Sequence, residues 1–306
     1  MQAFVIRRIL TSIPSVLGVV TLVFFMIHLA PGDPVEIMLG ENAAPADRAA
    51  LTKQLKLDRP IFEQYLSFLR GVATLDLGES IHTKKSVAGS IAERYGATLK
   101  LALASMLFAV TLAIPLGALA AVKKDTRYDR GAMMASLVGV SMPSFWLGPM
   151  LILAFAVELK WLPVAGADDW SSIILPAVTL GSAMSAILAR LTRSTMIETL
   201  GEEYIITARA KGLSGFAVIF KHALGNALLP VVTIAGLQLG ALLGGAIITE
   251  TIFAWPGLGR LTIQAINARD YPLTQGCVLT IALSYVAVNL LTDILYALID
   301  PRVRLK

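Results

Sequence analysis

The chain has 306 residues, 56% of them hydrophobic and 15% charged, with a mean hydropathy of +0.72 and a formal net charge of +5. A soluble domain carries about 25% charged residues because water must wet its surface, so this composition excludes a water-soluble globule and leaves lipid as the main solvent. The basic excess points either to nucleic acid or to membrane topology, and its position relative to the apolar runs decides between them.

A helix needs about 20 predominantly apolar residues to cross the hydrocarbon layer. Six runs free of Asp, Glu, Lys and Arg are long enough: 9–29, 101–122, 131–157, 171–189, 223–249 and 273–292. The first follows Arg7 and Arg8. It is too long for a secretory signal core, lacks a small-residue cleavage pattern and precedes further runs, so it is expected to be a retained helix. Residues 30–100 come next, hydrophilic, with nine basic and nine acidic side chains. Within them Ile61, Tyr65, Phe68 and Leu69 follow Pro60 at helical spacing, which predicts an amphipathic helix with proline at its start. This segment is expected to lie as a small cap on the outer face, as a packing lid and as a docking surface for an external partner. Pro14, Pro115, Pro143, Pro149 and Pro176 fall inside the apolar runs. Membrane helices tolerate proline where neighbours satisfy the freed carbonyls.

Cationic side chains in short loops favour the cytoplasmic side. One set of alternate segments holds fourteen Lys and Arg, whereas the opposite short loops hold only Lys160, Arg260 and Arg269. Both termini are therefore expected in the cytoplasm, and the basic excess is a topology signal and not a nucleic-acid footprint. The expected architecture is an all-α integral membrane protein with six transmembrane helices. It divides into an N-terminal segment with the first helix (1–29), an external cap (30–100) and a core (101–306).

Between the fourth and fifth runs lies a hydrophilic stretch, 190–222, on the cytoplasmic side. Glu202 and Glu203 suit a helix start, where acidic groups meet the positive end of the dipole. Ala208 and Ala210 favour helix, Gly212 is a plausible stop, and a second helical stretch from about Phe216 leads into the fifth run. A short helix, a glycine break and another helix make a compact protrusion. The fifth run carries Gly236, Gly240 and Gly244 on one face. Such a ladder lets another helix approach closely and is read first as packing and second as pathway lining. Glu250 and Asp293 sit at run ends, where snorkelling or an interfacial partner is cheap, and Cys277 is read as a packing residue.

No phosphate loop of the form G-x-x-x-x-G-K-[ST] occurs, His28, His82 and His222 have no metal-ligand spacing, and no hydrolase motif is present. The chain is expected to be non-catalytic and to bind neither metal nor cofactor. The run interiors also lack the ionisable groups that ion-coupled carriers place in mid-membrane. Work must then come from another chain through the cytoplasmic protrusion, or the protein conducts passively.

TARAKGL (207–213) followed by HALGNALLP (222–230) resembles the coupling-helix region of ABC-importer permeases. The broader family pattern begins Glu-Ala-Ala; here Ile206, Thr207 and Ala208 stand there ahead of Gly212, as is common in the peptide-transport branch. LAPGDP (29–34), LDRP (57–60), DLGESI (76–81), PSFWLG (143–148), WLPVAG (161–166) and FAWPGLGR (253–260) follow the same order, with Leu75 where the family usually has glycine. The resemblance is to the B-type permease of dipeptide, oligopeptide, nickel and glutathione importers in the bacterial inner membrane. It implies alternating access with a homologous second permease, two ATP-binding subunits that hold ATP and Mg, and an extracytoplasmic binding protein facing the cap. It further implies that Tyr204, Thr207, Ala208, Ala210, Lys211, Gly212, Leu213 and His222 form the contact with one ATPase. A small peptide is the first substrate expected and nickel the second; a secondary transporter or channel is the rival from another class.

Overall fold

Backbone groups facing lipid find no water to bond, so a chain this apolar closes its hydrogen bonds within each segment. The computed structural model describes residues 2–29, 34–40 and 43–299. Residues 30–33 of the LAPGDP motif and the basic Arg302, Arg304 and Lys306 lie outside them. The described residues are helical throughout, apart from connecting turns and one isolated bridge between Glu79 and Ser86.

Helix α1 (Gln2–Leu29) is followed by α2 (Pro34–Leu39), α3 (Pro45–Gln54) and α4 (Ile61–Thr74), then by α5 (Val87–Val122), which starts well inside 30–100. After α6 (Arg127–Ser141), α7 (Ser144–Leu151) continues through a wide π turn, Ile152–Glu158. Helix α8 (Ile174–Leu200) leads to the short α9 (Glu203–Ala210) and the single turn α10 (Gly215–Ala217). A second π turn, Val218–Ala223, joins α10 to α11 (Leu224–Gly245); α12 (Ile247–Ile252), α13 (Leu258–Asn267) and α14 (Tyr271–Ile299) complete the order.

Five stretches are long and apolar enough to cross a membrane as single helices: Phe4–Met26, Val87–Val122, Trp170–Leu200, Gly215–Gly244 and Tyr271–Leu298. The third expected run, 131–157, is instead a broken pair, α6 and α7, bent by 102°. It makes the sixth span only if both arms are taken together. The cause is local. Pro143 has no N–H to donate and forces Met142 into extended backbone (φ −83°, ψ 115°), so the helix stops and restarts. Pro14, Pro115 and Pro149 remain inside helices, and Pro176 sits in the first turn of α8.

The core forms where α5 and α8 bring their backbones together. A side chain on Gly117 would strike the Ala189 carbonyl and Thr192, and one on Gly181 would lie 2.7 Å from the Ser105 carbonyl. Helix α11 covers this pair through Val231 and Leu242, which bury with Leu101, Ala109 and Leu188. Helix α1 stands outside the core and leans on α14 through Val20, Val23 and Leu279. The Gln275 amide donates to the Val23 carbonyl at 3.0 Å, and Arg8 pairs with Asp293 at 3.2 Å. The predicted apolar stripe of α4 is what joins the cap to α1. Phe68 and Leu69 pack against Val16 and Val20, Tyr65 Oη meets Thr21 Oγ1 at 2.8 Å, and Ile61 stays exposed.

Leu75 ends α4 in the left-handed region (φ +58°) with 75% of its surface exposed. A non-glycine residue there costs about 1–2 kcal/mol, and so exposed a side chain offsets little of it by packing. Leu75→Gly is therefore expected to raise the melting temperature of the detergent-purified chain, by the equivalent of about 1 kcal/mol after the extra unfolded-state entropy of glycine is subtracted. A lowered melting temperature would show that Leu75 contributes more than its backbone costs.

Candidate functional site

The protrusion between α8 and α11 is built from its caps inward. Glu202 adopts extended backbone before α9, and the chain leaves α9 through Gly212 at φ +79°, with Gly212 N–H donating to the Arg209 carbonyl and Leu213 N–H to the Ala208 carbonyl. Glycine suits this left-handed exit because it has no Cβ to clash. Ser214 then caps the next turn by accepting the Ala217 N–H at 3.3 Å.

One face of α9 is anchored. Ile205 is 0% exposed and Ala208 is buried, both in one cluster with Met196 on α8, Val218 and Ala223 on the π turn, and Ala227 on α11. Tyr204 adds a polar tie: its hydroxyl accepts from Asn226 Nδ2 at 2.8 Å and donates to the His222 carbonyl at 3.4 Å. The other face is open. Ile206, Leu213, Phe216 and Phe220 are exposed, the two phenylalanine rings lie 4.4 Å apart, and Thr207, Arg209, Ala210 and Lys211 surround them. A rigid knob with an apolar crown and a cationic fringe therefore projects from the bundle. The structure gathers all eight predicted contact residues into it, with Tyr204 and Ala208 turned partly or wholly toward the bundle.

Beside the knob, Asp129 on α6 accepts two bonds from Arg193 on α8, from Nε at 2.5 Å and Nη2 at 2.6 Å, and a third from the Asp125 N–H at 2.9 Å. A bidentate carboxylate–guanidinium pair fixes orientation as well as distance, so this latch sets where the near arm of the broken pair meets α8.

The opposite end of the bundle is organised by Glu250, for which snorkelling or an interfacial partner was expected. Glu250 is 0% exposed, so it does not snorkel and is held by partners instead. Its carboxylate accepts from Thr98 Oγ1 at 2.7 Å and from the Arg260 N–H at 2.9 Å, with the Gly259 N–H also bonded to it. Thr98 in turn accepts the Leu258 N–H at 2.7 Å. Glu250 lies beyond the apolar stretch Gly215–Gly244. Burial pushes its carboxyl above the usual carboxylate range, against the pull of these donors.

Around this hub the sequence motifs converge. Trp255 Nε1 donates to the Ala97 carbonyl at 2.9 Å, Arg260 Nη1 to the Ala254 carbonyl at 2.6 Å, and the Gly166 N–H to the Phe253 carbonyl at 2.9 Å. Phe253 packs on Leu162 and Ala156, and Gly148 leaves room for its ring. PSFWLG, WLPVAG and FAWPGLGR thus meet at one point. DLGESI joins nearby: Ser80 Oγ donates to Asp270 Oδ2 at 2.5 Å, at the start of α14.

Gly236, Gly240 and Gly244 face α14, opposite Thr292, Tyr285 with Asn289, and Ile281 respectively. Cys277 is buried with Val87, Ile91 and Leu258. Asp129, Thr98, Glu250 and Asn226 were not read from the sequence as functional positions. The one local signal was Glu250 ahead of the closely spaced Gly257 and Gly259, both of which leave space for its carboxylate.

Residues 113–305 match the family described as binding-protein-dependent transport system inner membrane component, and residues 1–102 match the N-terminal membrane-component family of the same transport systems. The chain is 45% identical over 338 aligned positions to the dipeptide transport system permease protein DppB of Escherichia coli K12, with 100% of both chains covered. It is 44% identical over 333 positions to the di/tripeptide transport system permease protein DppB of Pseudomonas aeruginosa, with 99% of both covered. It is also 44% identical over 306 positions to the glutathione transport system permease protein GsiC of Escherichia coli O6:H1, with 100% of both covered. Among solved structures, the inward-facing MetNI methionine ABC transporter is similar at a TM-score of 0.60 and 18% identity, over 69% of this chain and 96% of that one. An amino acid ABC transporter with histidines is similar at 0.50 and 18%, over 70% and 94%. These two likenesses concern the fold.

Proposed function

The chain belongs to the family of binding-protein-dependent transport system inner membrane components, and on that premise we propose that it forms half of the pathway of an ATP-driven importer for small peptides. It is a permease subunit in the bacterial inner membrane. The partners on this reading are a homologous second permease, two ATP-binding subunits carrying ATP and Mg, and an external binding protein that delivers the substrate. The peptide assignment draws on full-length relatives named for dipeptide, di/tripeptide and glutathione transport, glutathione being itself a tripeptide.

The observation that carries the mechanism is the knob on α9. Its buried face, Ile205 and Ala208, is packed on the ends of α8 and α11, so a push on its exposed face reaches those helices as a rigid-body displacement. The exposed crown of Ile206, Leu213, Phe216 and Phe220 seats in a cleft of one ATPase, and closure of the two ATPases rocks the spans between outward- and inward-open arrangements. The Asp129–Arg193 latch carries the same movement into α6.

Reconstitution tests the reading. Proteoliposomes containing both permeases, both ATPases and the binding protein are expected to accumulate di- or tripeptides only when ATP is supplied. Uptake by this chain alone, or by the full assembly without ATP, would establish a secondary transporter or channel instead. Nickel uptake without peptide uptake would reassign the substrate.

A further inference from the structure

A hollow of about 950 Å³ lies away from the knob and from the Glu250 hub. It opens where the far end of α1, the start of α14 and the cap helices α3 and α4 come together. Its floor is apolar, made by Phe24 on α1, Phe68 on α4, Leu77, and Leu279 on α14. Its rim carries three basic side chains, Lys56, Arg59 and Arg70, against two acidic ones, Asp76 and Glu79. Lys56 Nζ is held by Ser67 Oγ at 2.8 Å. Among the described residues, neither the Arg59 nor the Arg70 guanidinium has a carboxylate within ion-pair distance. An Asp76 oxygen accepts the Gly78 N–H, and the rim keeps a basic excess of one.

We propose that this hollow is a phospholipid site, in which Arg59, Arg70 and Lys56 hold the phosphate and the upper acyl chain lies on Phe24, Phe68 and Leu279. Three observations favour a lipid. The hollow sits where the apolar stretch Phe4–Met26 ends and Tyr271–Leu298 begins. Helix α1 stands outside the core and packs mainly on α14 and α4, which leaves most of its apolar surface uncovered by the rest of the chain. The lining sorts into an apolar half toward the spans and a cationic half toward the cap, the polarity of a glycerophospholipid. Arginine suits phosphate because its planar fork presents paired donors. The size is that of a ligand pocket of about 300–1,000 Å³. Bound lipid would add to the ties that already join the cap to α1 and α14: the α4 stripe, Tyr271 against Val35, Met38, Leu51 and Ile81, and hydrogen bonds such as His28 to Gln64 at 3.1 Å.

The test is thermal melting of the full chain, purified in detergent and stripped of lipid, after addition of phosphatidylglycerol, diacylglycerol lacking phosphate, or inorganic phosphate. Phosphatidylglycerol is expected to raise the melting temperature, with little effect from the other two. The double variant Arg59→Gln/Arg70→Gln, both positions being exposed, is expected to melt like the parent without lipid and to lose most of the lipid-induced rise. Mass spectrometry of the purified protein is expected to find less phospholipid retained by the variant. An equal rise with diacylglycerol, an equal rise with inorganic phosphate, or an undiminished response in the variant would each overturn the proposal. The transport reading stands or falls separately, on ATP-dependent uptake.

Discussion

Glu250→Ala is expected to destabilise the chain by about 3–5 kcal/mol, the cost of stranding several buried donors at about 1–3 kcal/mol each, and to abolish uptake with it. The loss follows from the donors left behind. The Thr98 hydroxyl and the N–H groups of Gly259 and Arg260 all end on this carboxylate, and Glu250 is 0% exposed, so its removal leaves them without an acceptor in the interior. Each donor stranded in the interior costs about 1–3 kcal/mol. Glu250→Gln keeps the volume and one acceptor oxygen, so it is expected to cost about 1–3 kcal/mol on the same scale. Gly257→Ala attacks the hub from the other side, because its Cβ would overlap the Glu250 carboxylate. Thermal melting of the purified variants reads the order directly, with alanine at 250 the least stable. Tryptophan fluorescence gives a local check. Trp255 is 5% exposed while Trp146, Trp161 and Trp170 are open, so a red shift reports loosening of residues 253–260. A Glu250→Ala protein that melts with the parent and shows no red shift would remove the hub from the account.

What the sequence made legible was whatever depends on near neighbours. Apolar runs, the stripe of α4 after Pro60, the acidic start of α9 and the glycine exit at Gly212 are all encoded within a few residues, and the structure places helices and turns there. Leu75 is instructive in the same way. The position sits at φ +58°, so the family's glycine there has a conformational reason that this chain overrides. The break at Pro143 was not legible, because proline is tolerated or not according to the residues around it. Pro115 stays inside α5, whereas Pro143 with extended Met142 before it separates α6 from α7.

The partners of Glu250 and Asp129 were invisible for a different reason. Thr98 is 152 positions from Glu250, and Arg193 is 64 from Asp129. No period or turn rule reaches across such separations. A glutamate at the end of an apolar run looks the same whether it snorkels or is sealed. The α5–α8 approach was likewise hidden, since the single glycines Gly117 and Gly181 make no ladder, while the ladder that could be seen, in α11, faces α14.

Gly212→Val is expected to leave membrane insertion and melting close to those of the parent while cutting peptide uptake by about 5- to 30-fold. The position isolates backbone conformation from packing. A Cβ there would meet nothing within 4 Å, so there is no clash to unfold the bundle, yet φ is +79°, where a β-branched residue is strongly disfavoured. At about 1–2 kcal/mol for a left-handed L-residue, the docking-competent knob becomes about 5- to 30-fold less populated, and apparent affinity for the ATPase falls by the same factor. Unwinding the last turn of α9 is the expected relief of this strain, and it would displace the exposed Leu213 and Phe216. Gly212→Asn separates this account from one based on bulk, because asparagine visits the left-handed region far more readily. It is expected to restore much of the uptake. ATP hydrolysis by the valine variant should continue without stimulation by peptide-loaded binding protein, the signature of a connection broken between engine and pathway. If valine and asparagine impair uptake equally, side-chain size matters and the dihedral does not. If valine leaves stimulated hydrolysis and uptake intact, force enters the spans somewhere other than the α9 knob.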